Sequence, residues 1–143
     1  MNTGAGKSGF KSESSFSTLC VLIVVDTVGA LASGGLKNNC YMVDNNHYLG
    51  SWREGSEELH TVCQDGQAIV WDVASVSPDT PIAITGFSGR MVDEGICAPK
   101  RLPDGSWEGR VESRGVFAAF PYAVTLSINQ KTEMKATCFI KVV

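Results

Sequence analysis

Between Phe117 and Ile128 the chain alternates with a period of two. Tyr122, Val124, Leu126 and Ile128 fall on one side, and Ala123, Thr125 and Ser127 on the other. Successive side chains of a strand point to opposite faces, so this is the pattern of a strand with one face on a core. The pattern returns at Ala136, Cys138, Ile140 and Val142, and again at Ile69, Trp71 and Val73. No segment carries the helical period over a normal helix length. The chain is therefore expected to be all-β.

The remaining strands follow from apolar runs between turn residues. Ser17–Val25 is an apolar run that does not alternate, which predicts a central strand buried on both faces. Thr27–Gly35 is rich in small residues and reads as a loop, and Asn39–Val43 as a short strand. Leu59–Cys63 and Gln67–Val73 flank Gln64-Asp65-Gly66, a hairpin signal because glycine supplies the positive φ of a tight turn. Ile82–Ser88 is a strand, and Asp93-Glu94-Gly95 marks a bulge or turn within Met91–Cys97. Pro103-Asp104-Gly105 predicts a second hairpin turn leading into Trp107–Glu112, while Pro121 places its strand at an edge or a bulge. The seven or eight strands predict an antiparallel β-sandwich with an immunoglobulin-like or related Greek-key order.

At 143 residues the chain suits a single domain. Residues 1–17 are Gly/Ser-rich with little apolar content and read as a flexible N-terminal arm, leaving 18–143 as the β-sandwich domain. The net charge of −3 and the lack of Lys/Arg runs argue against nucleic acid and against an anionic membrane surface as partners. The five cysteines are scattered singly, and an odd number cannot pair fully within one chain. Free thiols in a reducing compartment are expected; the competing reading is one or two disulfides with a leftover thiol.

Several motifs carry chemistry elsewhere but lack their context here. Gly4-Ala5-Gly6-Lys7-Ser8-Gly9 fits a dinucleotide fingerprint and resembles the end of a P-loop, yet no helix-forming sequence follows it. Leu19–Val25 resembles a signal-peptide core, but Asp26 interrupts it and its β-branched residues suit a strand. His60 and Cys63 have metal-like spacing, but on a strand they point to opposite faces, and zinc needs two more ligands. Gly86-Phe87-Ser88-Gly89 misses the spacing of a nucleophile elbow. His47 and His60 are the only imidazoles that could serve a cysteine–histidine dyad. No catalytic residue, metal ligand or cofactor is assigned.

One constellation remains. Two apolar runs end in polar groups, the first in Asp26 and the second in Asp44-Asn45-Asn46, with Trp52 a candidate exposed contact beyond them. Asp26, Asp44, Asn45, Asn46 and Trp52 could rim a site for a small ligand, a glycan or a hard cation. The same residues also suit the capping of strand ends, because Asn and Asp readily bond their own backbone. As an EF-hand loop the stretch fails: Tyr48 stands where an oxygen donor is needed and Leu49 where glycine is.

The segments VLIVVDTVGALASG, NNCYMVDNN, YLGSW, TVCQDGQAIVWDV, GFSGRMVDEGIC and VTLSINQKT, in this order, resemble the PixA/AidA-type inclusion body protein family of Gram-negative bacteria. The similarity runs from about Leu19 toward the C-terminus. It implies a cytoplasmic, non-enzymatic protein that forms homo-oligomers and is linked to quorum-sensing or host-association physiology. A ligand-binding module is the alternative, and a cryptic Cys/His hydrolase comes third.

Overall fold

The computed structural model describes residues 17–46, 51, 56 and 58–143. Among them the chain forms nine strands in two sheets, with two short helices. In chain order the elements are β1 (Leu19–Val25), α1 (Thr27–Ser33), β2 (Cys40–Asp44), β3 (His60–Cys63), β4 (Ala68–Ser75), β5 (Ile82–Ser88), α2 (Arg90–Asp93), β6 (Lys100–Arg101), β7 (Trp107–Arg110), β8 (Ala119–Ile128) and β9 (Thr132–Val142). One sheet has the order β3-β9-β8-β5 and the other β2-β1-β4-β7-β6.

The two sheets share one core. Val21, Ile23, Cys40, Met42, Ile69 and Trp71 of the five-stranded sheet pack with Tyr122, Val124, Leu126, Cys138, Ile140 and Val142 of the other. The alternation seen in the sequence is what produces this: in β8 every second residue from Phe120 to Ile128 is buried. The ladder between β8 and β9 runs from Ile128↔Thr132 to Ala119↔Lys141. Asn129 and Gln130, both at positive φ, close its tip, as the primed hairpin turns require.

Both sheets are mixed, which corrects the all-antiparallel expectation. β4 runs parallel to β1, with Leu19 opposite Ile69, and β3 runs parallel to β9, with Phe139 opposite His60. The cause lies at Asp65-Gly66. Gly66 adopts φ +90° and Gln67 N donates to Gln64 O at 3.1 Å, so the predicted tight turn forms. Its two arms then diverge into different sheets instead of pairing as a hairpin. A turn fixes a change of direction, and the burial of Ile69 and Trp71 beside β1 decides which strand is met next. At Pro103-Asp104-Gly105 the expected hairpin does form, between β6 and β7.

Two further expectations change. Thr27–Gly35, read as a loop, holds α1. Ser17–Val25, read as buried on both faces, is an interior strand whose burial alternates: Val21, Ile23 and Val25 face the core while Cys20 and Leu22 face outward. Pro121 lies beyond the last residue of β8 that pairs with β5, Ala123, so its missing N–H interrupts no ladder on that side.

Gly109 in β7 lies tight against the buried Cys97. A Cβ there would stand 2.6 Å from Cys97 Sγ and 3.3 Å from Pro99 Cα. Gly109→Ala should lower stability by about 1–3 kcal/mol through overpacking. The loss should shrink in a Cys97→Ala background, with urea unfolding as the measurement; equal losses in both backgrounds would contradict the contact.

Candidate functional site

The candidate site residues fall at the two ends of the β1–β2 ladder. β2 runs antiparallel to β1, with Val25 opposite Cys40 and Val21 opposite Asp44. Asp26 therefore follows the last residue of β1, whereas Asp44 lies beside its start. Asp26 lies five steps along the chain from Val21, about 17 Å in an extended strand. The fold does not bring Asp26 together with Asp44, Asn45 and Asn46. Trp52 and His47 lie outside the described residues.

Each end is occupied by hydrogen bonds within the chain. Asp26 is the N-cap of α1: its Oδ1 accepts from Gly29 N at 3.1 Å, and its own N–H donates to Asn39 O at 2.8 Å. Gly34, left-handed at φ 83°, closes the helix. A carboxylate that accepts an amide of the first turn removes one of the donors a helix start leaves unpaired. At the other end Asn45 Oδ1 accepts from Cys20 N at 2.8 Å, and Asn45 N donates to Cys20 O at 3.2 Å. Asn45 thus extends the β1–β2 ladder by one step with its side chain. Asp44 Oδ1 accepts from Asn46 N at 3.0 Å, and Asn46 Nδ2 donates to Val62 O. Asn46 so ties the end of β2 to β3 in the other sheet.

Two open grooves lie elsewhere, along β7. One, of about 430 Å³, is lined by Lys100, Glu108, Arg110 and Glu112 among others. The second, of about 380 Å³, shares Arg110 and Glu112 and adds Asp65 and Arg114. Their charges balance, three cations against three carboxylates, and several are already engaged. Arg110 Nη1 donates to Gly66 O at 2.6 Å. Asp65 accepts from Ser113 N at 2.8 Å and from Gly115 N at 3.1 Å, and these backbone amides hold its carboxyl below the usual aspartate range. Sequence reasoning did not find these grooves, because their residues come from separate stretches of the chain and the one motif among them, Asp65-Gly66, signals a turn and not a site.

None of the five cysteines forms a disulfide. Cys20 is exposed and the other four are buried. Burial pushes Cys63 up to about 12, with Cys97, Asp44 and Asp65 adding to it. Burial likewise takes Cys97 to about 12, helped by the charge of Glu112. It does the same for Cys138, against a hydrogen bond from Tyr122 that lowers it. A sulfur nucleophile must be a thiolate, so these three are poor candidates for one. His60 stacks on Phe139 with ring centroids 4.4 Å apart. Among the described residues no three His, Cys, Asp or Glu side chains converge as a metal site, and no helix is long and apolar enough to cross a membrane.

The fold defines a class: a two-layer β protein with mixed sheets. A family model for a domain of unknown function, DUF8788, matches residues 17–134, and the chain belongs to that family. No curated protein matches it. Among solved structures, the inclusion body protein PixA from Burkholderia cenocepacia J2315 superposes with a TM-score of 0.71 at 12% identity, over 94% of this chain and 100% of that one. At that identity the likeness is one of fold. The PixA part of the resemblance stands at that level, and its AidA part has no support.

If Asp26 and Asn45 serve separate ends of one ladder, their losses are independent. Asp26→Ala should lower stability by about 1 kcal/mol, as a lost cap does. Asn45→Ala should lower it by about 0.5–1.5 kcal/mol, as a lost hydrogen bond does. The double variant should match their sum within about 0.5 kcal/mol. A clear departure from additivity in thermal or urea unfolding would point to one coupled site.

Proposed function

We propose that this protein works as a non-enzymatic, self-associating protein of the inclusion-body type. It acts in the cytoplasm, and its accumulation is tied to quorum-sensing or host-association physiology, as the sequence resemblance implies. The observation that carries this reading is the fold likeness to an inclusion body protein over the whole of that chain.

Three features support the non-enzymatic part. The buried thiols are held far above neutral pH. The polar groups that looked most like a rim are taken up in capping a helix and extending a ladder. The charged grooves along β7 are open and balanced in sign, without the convergent polar groups and apolar walls of a small-molecule site.

Sedimentation velocity across a range from about 10 μM to about 1 mM brackets weak association. The expected result is a mean mass that rises with concentration above the 15.3 kDa of one chain. A single 15.3 kDa species throughout would contradict the proposal.

A further inference from the structure

An edge strand presents a row of backbone N–H and C=O groups, and such a row can template the strand of another chain. Among the described residues the two sheets have four edge strands, β3 and β5 in one and β2 and β6 in the other. The ladders tell which residues turn their backbone away from the sheet. Beside β3, Leu59 O and Cys63 O accept from Phe139 N and Val143 N. Successive residues of a strand point their backbone groups to opposite sides, so Val62 faces the open edge. Both of its groups are nevertheless taken. Val62 N donates to Ser51 Oγ at 3.0 Å, and Val62 O accepts from Asn46 Nδ2.

The other edge of the same sheet is closed in a similar way. Pro81 O accepts from Asn129 N at 2.9 Å, and by the same alternation Ile84 of β5 faces outward. Ile84 O accepts from Trp107 Nε1 at 3.2 Å. The ladder then shifts register between Ile84 and Gly86, an irregularity that interrupts the row beyond it. Phe87 of β5 packs on the Trp107 ring, centroids 5.4 Å apart, and steadies the indole. The five-stranded sheet has blunter edges. Met42 N of β2 donates to Ser56 O at 3.0 Å. β6 is two residues long, Lys100 and Arg101, both exposed, and short charged edges resist pairing.

The donors on the four-stranded sheet share an origin. Asn46 follows β2 and Trp107 lies in β7, so each reaches across from the other sheet. A side-chain amide or an indole N–H satisfies a carbonyl as a strand would, yet it offers no backbone with which to continue the ladder. We propose that Asn46, Ser51 and Trp107 are edge guards, which block the addition of another extended chain to β3 and β5. These guards act whether or not the folded chain self-associates. They confine any such association to surfaces other than these two edges.

The test uses variants of the full chain. Ser51→Ala should speed hydrogen exchange of the Val62 amide about fivefold by NMR, the factor that corresponds to a hydrogen bond of about 1 kcal/mol. Asn46→Asp keeps the side-chain shape and loses the donor, and Trp107→Phe loses the indole N–H. Each should raise the growth rate of thioflavin-positive aggregates several-fold. Asp26→Ala removes a helix cap and no edge group, so it controls for lost stability. All variants are compared at urea concentrations that unfold the same fraction of each. Faster growth in Asn46→Asp and Trp107→Phe than in Asp26→Ala is the expected result. Growth no faster than in Asp26→Ala overturns the guards, because lost stability alone would then account for it. An unchanged Val62 exchange rate in Ser51→Ala overturns the cap on β3. A native chain that stays monomeric in sedimentation removes the proposed function and leaves the guards standing.

Discussion

The two sheets are joined across the core by a hydrogen bond between their largest buried side chains. Trp71 Nε1 donates to the Tyr122 hydroxyl at 3.1 Å. Trp71 lies in β4 and Tyr122 in β8, and both are almost fully buried. An indole N–H and a phenol enter a core at little penalty only when each finds a partner. Here each satisfies the other, which fixes the register of one sheet over the other. Phe87 closes the cluster, 4.9 Å from Trp71 and 6.0 Å from Tyr122 between ring centroids. Burial pushes the Tyr122 phenol well above its ordinary pKa, so it stays a neutral donor and acceptor. Beyond it, Cys138 Sγ of β9 lies 3.3 Å from Met42 Sδ of β2, a second contact between the layers. The Trp71–Tyr122 bond and the sulfur pair thus bridge the sheets, and Trp107 Nε1 of β7 adds a third link by donating to Ile84 O of β5 at 3.2 Å.

With the layers fixed in this way, the polar ends of the strands have a local task. Asp26 starts a helix, Asn45 prolongs a ladder, and Asn46 links β2 to β3. These bonds satisfy backbone groups that a strand or helix end leaves open. Asp26 and the Asp44-Asn45-Asn46 cluster form no common site, because the antiparallel course of β2 carries them to opposite ends of β1.

Much of the core was legible because period two is a direct record of which face is covered. β8 and β9 follow from Tyr122–Ile128 and Ala136–Val142 almost residue by residue. Three things were not legible, each for a physical reason. Strand partners depend on contacts between distant residues, so Asp65-Gly66 announced a turn and not the sheet that its arms would join. α1 has the sequence TVGALAS, which is too short and too small-sided to show a helical stripe, although Asp26 and Gly34 were its start and stop signals. The apolar run of β1 was ambiguous in principle: a strand buried on both faces and a strand with one sticky exposed face have the same sequence. The structure resolves it as the second, with Cys20 and Leu22 facing outward. As for the candidate site, the sequence identified residues that make specific bonds, but chemistry alone could not separate binding from capping.

The buried Trp71–Tyr122 hydrogen bond couples the two layers, and a double-mutant cycle tests that coupling directly. Tyr122→Phe removes the hydroxyl and leaves the ring. Trp71→Phe removes the N–H donor with part of the ring. The free energies of unfolding of both variants and of their combination give the coupling, free of the packing that each change alone disturbs. A coupling of about 1–2 kcal/mol is predicted, the range of a buried hydrogen bond whose loss strands its partner. Additive losses, with no coupling between the two positions, would contradict the account.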